Sequence, residues 1–414
     1  MTTEMLERRR DNQQWILDWL VKTTGKVQNF ANDERQLPSS VKSYRMIPRV
    51  LYKKASHFEE IARAAEEHGH LHTASALYMK ACDEYREAQH AIFEDDNAEK
   101  IFLHQKHMDC FDRAVACSTA PIETVEIPWE GVTIQARWHP LPDRRRAPAV
   151  LFIPGMDMTK EAFPTPLSNP FHRRGMHVLS IDGPGQGISN IRKIRVGADN
   201  YERAASAAID WLQAQPEVDD SKLAACGASF GTHWGSRLAA IDPRVKAIAT
   251  AHAVYGPKTA IFEEASPRFK QMFMYMAGIH DEDAFDEMVR QMDNVPDGPK
   301  IRCATLMIVG EYDPLCHLED AVRFFEEIAG PKELWVFENE FHRVSQKEGL
   351  AGLEIYHFEA DWLRDALNGK LPAEHRAVRL IRQSEGPAVY TEANQSLLLP
   401  GRGSTPPLCA DDRR

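Results

Sequence analysis

The chain has 414 residues, 43% of them hydrophobic and 27% charged, with a formal net charge of −11. That length exceeds what a single hydrophobic core organises, so one large domain with a smaller one is expected, and an acidic balance without any Lys/Arg-rich block offers no face for nucleic acid. Seven cysteines without C-x-x-C spacing read as free thiols of a reducing compartment; no apolar run nears the roughly 18 residues of a membrane span, and residues 1–10 lack the apolar core of a signal peptide, so a cytoplasmic protein without a membrane partner is expected.

In chain order, helical periodicity dominates as far as residue 120. Trp15, Ile16, Trp19 and Leu20 form one predicted face, and a longer pattern runs from Val50 through Phe58, Ile61, Ala64 and Ala65 to Gly69. A further helix begins near Leu71, with Ala74, Leu77, Tyr78, Ala81 and Tyr85 at three- and four-residue spacing, and another spans about 98–116. Residues 58–93 resemble one tetratricopeptide hairpin, but arrays need about three repeats, so 1–120 reads as a helical N-terminal lid or dimerisation domain and a homodimer as the assembly. Beyond it the period becomes that of strands. Segments 123–128 and 132–138 form a hairpin around Glu130-Gly131, and short apolar runs at 149–153, 177–181, 223–226, 245–250, 304–309 and 333–337 suit an eight-stranded, mostly parallel sheet covered on both faces. The catalytic domain is placed at 121–369, with a helical insertion at about 256–300, and 370–414 reads as an irregular, largely disordered tail.

Gly227-Ala228-Ser229-Phe230-Gly231 joins the apolar run 223–226 to a helix. Strand, Gly-x-Ser-x-Gly and helix in that order form the nucleophile elbow of an α/β-hydrolase. A serine hydroxyl needs a histidine to take its proton and a carboxylate to orient that histidine. In this fold the acid follows the seventh strand and the histidine the eighth, which selects Asp313 and His342. Glu311 and Asp320 are alternative acids; His233 and His252 are alternative histidines. The N–H groups of Phe230, after the nucleophile, and Met156, in the Pro154-Gly155-Met156-Asp157 loop, are the expected oxyanion donors. The glycines of Asp182-Gly183-Pro184-Gly185-Gln186-Gly187 are spaced G-x-G-x-G, which does not fit a dinucleotide site, and neither a cofactor nor a metal is expected.

With these motifs, residues 122–367 resemble the α/β-hydrolase superfamily, and the turn at 182–187 is similar to the one after its fourth strand. The helical N-terminal region, residues 154–161 and Asp199-Asn200-Tyr201-Glu202 resemble a narrower group. It includes 2,6-dihydroxypseudooxynicotine hydrolase, fermentation–respiration switch-like proteins and fungal polyketide-shortening hydrolases. That resemblance implies a helical segment over the hydrolase core and, for several members, cleavage of a carbon–carbon bond beside a ketone. A small-molecule carbonyl substrate is expected: an aryl ketone, β-diketone or polyketide-like compound, with an ester or lactone as the alternative and a non-catalytic binding or regulatory protein on the same fold as the third reading. The insertion is rich in Met and aromatics, so Phe273, Tyr275 and Met276, together with His252 and Tyr255, are candidate substrate contacts. The competing reading is that they glue the insertion to the sheet or to a second subunit.

Overall fold

Helical and strand periods separate into two bodies of structure, each with its own core. The computed structural model describes residues 14–27, 37–344, 350, 353–382 and 390–392. Four helices come first: α1 (Gln14–Thr24), α2 (Ile47–Glu67), α3 (Leu71–His90) and α4 (Ala98–Ala116). They enclose a cluster built on Leu17, Leu51, Ala55, Tyr78, Tyr85 and Phe111. Two buried faces differ from the sequence expectation by one position. In α1, Leu17, Leu20 and Val21 are buried, while Trp15 and Trp19 are 68% and 59% exposed; in α2, Ala62 is buried and Ile61 exposed. Bulky residues drew the predicted faces toward themselves, whereas close helix packing takes the smaller side chain.

Strands β1 (Glu123–Trp129), β2 (Val132–His139), β3 (Ala147–Ile153), β4 (His177–Ile181), β5 (Val218–Ala228), β6 (Val245–Ala251), β7 (Ala304–Gly310), β8 (Lys332–Phe337), β9 (Arg376–Ile381) and β10 (Tyr390–Glu392) form one sheet, ordered β1-β2-β4-β3-β5-β6-β7-β8-β9-β10. The β1–β2 hairpin closes through Glu130 and Gly131, both at positive φ, as a two-residue turn requires. From β4 to β9 every pairing is parallel. Alternation on the central strands feeds two cores: Leu151 and Ile153 face one side and Val150 and Phe152 the other.

The first core is covered by α6 (Tyr201–Gln213), α7 (Phe230–Ile241) and α10 (Leu318–Glu327), with a short α5 (Gly187–Ile191) after β4; the second is covered by α11 (Ile355–Leu367). The insertion between β6 and β7 holds α8 (Pro267–Ala277) and α9 (Glu282–Val289). The sheet exceeds the expected eight strands by two, because β9 and β10 lie where a tail was expected. The short run of β9, with Ala377, Val378 and Ile381 buried, is broken by arginines at 376 and 379 and lacks a clear period; pairing with β8 supplies the order. Residues 393–414 lie outside the described residues, as does Cys409.

The helical body is joined to the sheet through a buried charge node. Glu161, fully buried, takes ion pairs from Lys160 Nζ at 2.7 Å and Arg137 Nε at 3.1 Å, and His107 Nε2 of α4 lies 3.3 Å from its other oxygen. Lys160 Nζ also reaches Asp182 Oδ2 at 2.9 Å, and His107 Nε2 lies 2.9 Å from Thr159 Oγ1. Burial pushes the Glu161 carboxyl up, but Lys160 and Arg137 overcome it and hold it well below the usual carboxylate range. Replacing Glu161 by Ala removes the carboxylate shared by two buried cations, leaving Lys160 only Asp182 and Arg137 only Asp112, and denaturant unfolding is expected to show a loss of about 3 kcal/mol, against less than about 0.5 kcal/mol for the exposed control Glu287→Ala.

Candidate active site

Ser229 sits between β5 and α7 at φ 53°, ψ −123°, a conformation that strains a residue bearing a Cβ. The turn permits no side chains at its flanks. A Cβ on Gly227 would overlap the Gly231 carbonyl, and one on Gly231 would overlap the Ile153 carbonyl. The serine is thereby pushed out at the C-terminal edge of the sheet, where the loops after β7 and β8 meet. Tyr312 N–H donates to the Glu340 carbonyl at 2.8 Å and Glu311 N–H to the Phe337 carbonyl at 3.0 Å, drawing the two loops together.

This brings the expected acid and histidine to the serine. Ser229 Oγ lies 2.9 Å from His342 Nε2, and His342 Nδ1 lies 2.9 Å and 3.2 Å from the two Asp313 oxygens. Asp313 is buried and accepts the Leu315 N–H at 2.8 Å, which fixes its carboxylate. The alternatives are used elsewhere. Glu311 accepts the Asn339 N–H at 2.8 Å and so shapes the β8 loop, and Asp320 pairs with Arg323. His233 is buried within α7, where burial holds it neutral, and does not line the cavity containing Ser229. His252 does line it; its Nδ1 lies 3.1 Å from the His342 carbonyl, and burial pushes its imidazole down to about 3, so it is neutral.

The loop after β3 passes directly over the serine. A Cβ on Gly155 would stand 2.8 Å from Ser229 Cβ, so only glycine permits this approach. Gln186 Nε2 donates to the Pro154 and Gly155 carbonyls at 3.1 Å and 2.7 Å, and Tyr201 holds the other end of that amide. The Gly155 carbonyl and Met156 N–H share one trans peptide and point in opposite directions. Fastening the carbonyl to Gln186 therefore turns the Met156 N–H away from the 182–187 turn. Phe230 N–H belongs to the first turn of α7, whose N–H groups have no partner within the helix. Gln186, missed in the sequence reading, was visible only as part of a glycine-rich turn.

The cavity at Ser229 measures about 330 Å³. Its walls combine Met158, Phe163, Phe269, Leu315 and Tyr356 with Asp83, Arg86 and Glu87 of α3, and with Asp157, Arg343 and Glu354. Of the candidate substrate contacts, only His252 borders it. Tyr255 is buried with its hydroxyl 2.5 Å from Thr250 Oγ1, and Phe273 packs between Phe230 and Phe262, at centroid distances of 4.7 Å and 5.2 Å. Tyr275 and Met276 border a separate small cavity beside Lys100 and Gln186. The Met- and aromatic-rich insertion is thus mostly core, because its apolar side chains find the apolar face of α7 before they find the cavity. Among the described residues no group of three or more His, Cys, Asp or Glu is placed to hold a metal ion, and no helix is long and apolar enough to cross a membrane.

Comparison with known proteins adds kinship. The family described as X-Pro dipeptidyl-peptidase (S15 family) matches residues 130–277, a span that includes Ser229 and stops before Asp313 and His342. The chain is 29% identical over 233 residues to the α/β-hydrolase xenA of Xenoacremonium sinensis, covering 53% of each chain. It is 28% identical over 200 residues to the 2,6-dihydropseudooxynicotine hydrolase of Paenarthrobacter nicotinovorans, covering 47% of this chain and 51% of that one. The chain thus spans about half the length of the curated relatives it matches. A solved 2,6-dihydroxy-pseudo-oxynicotine hydrolase superposes with a TM-score of 0.69 at 22% identity over 83% of this chain and 94% of the other.

Because Gly155 abuts Ser229, Gly155→Ala is expected to slow labelling of the serine by a fluorophosphonate by about 10²-fold, the scale of losing one oxyanion donor. Unchanged labelling kinetics in a folded variant would refute the role given to this loop.

Proposed function

We propose, from the premise that by fold and by sequence the chain belongs with the α/β-hydrolases, that it is a serine hydrolase cleaving a C–C bond beside a ketone in a small aryl-ketone, β-diketone or polyketide-like substrate. The observation that carries the reading is the hydrogen-bonded series Ser229–His342–Asp313, opening onto a cavity of about 330 Å³. That size suits a small organic molecule. The preference for carbon over ester oxygen as the leaving atom rests on the likeness to a 2,6-dihydropseudooxynicotine hydrolase and on the helical body that roofs the cavity.

In this mechanism His342 Nε2 takes the Ser229 proton as Oγ attacks the substrate carbonyl, while Asp313 keeps Nδ1 protonated and stabilises the imidazolium. The oxyanion forms against the N–H groups of Phe230 and Met156. Collapse breaks the C–C bond, its electron pair leaves on carbon as the enolate of the neighbouring ketone, and the imidazolium returns the proton to that carbon. Water, deprotonated by His342, then cleaves the acyl-enzyme, giving a carboxylic acid and a ketone. A cleft walled on one side by α3 favours this course because an enolate exposed to bulk water would lose the protein's dipoles as its solvent.

Ser229→Ala is expected to lower kcat by about 10⁶-fold and Asp313→Ala by about 10⁴-fold, with both variants still folded. Turnover of a β-diketone and nitrophenyl-ester panel identifies the bond: fast ester hydrolysis with inert diketones would replace the C–C reading by a carboxylesterase.

A further inference from the structure

Two neighbouring strands end in strained backbone at the same edge of the sheet. Ser229, after β5, stands at φ 53°, and His252, after β6, stands at φ 62°, a sign of φ that is uncommon for a residue bearing a Cβ. The two ends are tied together, since the Ser229 N–H donates to the Ala251 carbonyl at 3.0 Å. Both side chains border the same cavity, and the His252 ring lies 6.2 Å from the His342 ring, centroid to centroid. The triad employs Ser229 and His342 and leaves His252 without a task.

The two ring nitrogens of His252 have different surroundings. Nδ1 lies 3.1 Å from the His342 carbonyl oxygen and 3.4 Å from the Val344 backbone nitrogen. An unprotonated nitrogen that close to a carbonyl oxygen would set lone pair against lone pair, so the shorter contact makes Nδ1 the donor and Nε2 the bare nitrogen. Among the described residues Nε2 has no hydrogen-bond partner, and unlike the ring nitrogens of His233 it is not sealed in the core, so it opens on the cavity. Burial, His342 and Arg343 push the imidazole down to about 3, so at neutral pH Nε2 neither carries a proton nor takes one up. That excludes the acid that protonates the leaving carbon and leaves the acceptance of a hydrogen bond. A second idle acceptor stands in the same wall, where Glu354 Oε2 is buried without a donor. Idle acceptors call for a ligand that brings donors. Arg343, near enough to depress the imidazole, disfavours an ammonium at Nε2, and an uncharged hydroxyl carries no such penalty. Holding the His342 carbonyl would not by itself require histidine: asparagine offers the same donor and visits left-handed backbone readily.

We propose that His252 is a specificity-determining residue whose Nε2 accepts a hydrogen bond from a substrate hydroxyl beside the carbonyl that Ser229 attacks. The substrate class is then a hydroxy ketone. This deepens the hydrolase reading and rests on it only for the placing of that carbonyl.

Binding to the Ser229→Ala protein tests the assignment without turnover. Calorimetric titration uses benzoin, its methyl ether and deoxybenzoin, three aryl ketones of which only benzoin carries a hydroxyl. Benzoin is expected to bind about fivefold tighter than the other two, the worth of one uncharged hydrogen bond. Adding His252→Asn, which keeps a donor for the His342 carbonyl and has no acceptor at the Nε2 position, is expected to bring the three within about twofold. His252→Gln, whose amide oxygen reaches that position, is expected to keep part of the preference. A residue that only held the His342 loop would leave the preference intact in His252→Asn. Nitrogen NMR of the Ser229→Ala protein is expected to place the His252 proton on Nδ1 and to show its Nε2 signal shifting as benzoin binds. Unfolding midpoints establish that each variant is folded. Equal binding of the three ketones, binding of none, a preference that survives His252→Asn, or a proton on Nε2 overturns the assignment. If the preference holds while the unmutated protein resists fluorophosphonate labelling and hydrolyses nothing, the hydrolase reading fails and the hydroxyl site stands; labelling of Ser229 together with equal binding of the ketones removes the site and leaves the hydrolase.

Discussion

Placing a carboxylate, an ammonium and a guanidinium together out of water is the constraint around which the site is arranged. Each such ion loses several kcal/mol of hydration, which only close pairing offsets. Glu161 meets that requirement by drawing partners from four parts of the chain: Arg137 of β2, His107 of α4, its neighbour Lys160 and, through Lys160, Asp182 after β4. None can move far without stranding another. Glu161 lies on the same loop after β3 as Gly155, six residues further on, so the node that docks the helical body also fixes the peptide lying against Ser229.

Two anchors thus act on one short segment from opposite ends. Gln186 holds the carbonyls of Pro154 and Gly155, while Asp182 accepts the Lys160 N–H at 2.7 Å. Both anchors come from the glycine-rich turn after β4, which gives that turn a structural task. The helical body is coupled to the same segment, since His107 reaches Thr159 and Glu161 while α3 contributes part of the cavity wall. Roof and loop are in this way parts of one mechanical unit, and a displaced roof would disturb the loop as well as open the cavity.

The sequence carried the elbow clearly because steric demand there is local. Gly227 and Gly231 are required by backbone atoms a few residues away or on the adjoining strand, and a five-residue pattern records that demand. Asp313 and His342 were legible for a related reason: each follows its strand closely, so strand order alone places it. The cavity walls were not legible in this way. Phe273 and Tyr255 have the composition of a substrate pocket and lie in the core, whereas Asp83, Arg86 and Glu87 have the composition of a solvated helix face and border the cavity. Helical periodicity reports that a face exists but not what lies opposite it.

By itself, then, the sequence determined the alternating strands, the strained turn bearing Ser229 and the order in which acid and histidine follow it. These depend on interactions within an element or at its end. Tertiary structure decided what surrounds Ser229: that β9 extends the sheet, that the insertion spends its methionines and aromatics on the core, and that α3 turns charge inward. Those outcomes depend on pairings between residues far apart in the chain: Arg268 meets Asp157 only once the insertion has packed on the sheet, and His107 meets Glu161 only once the two bodies have packed.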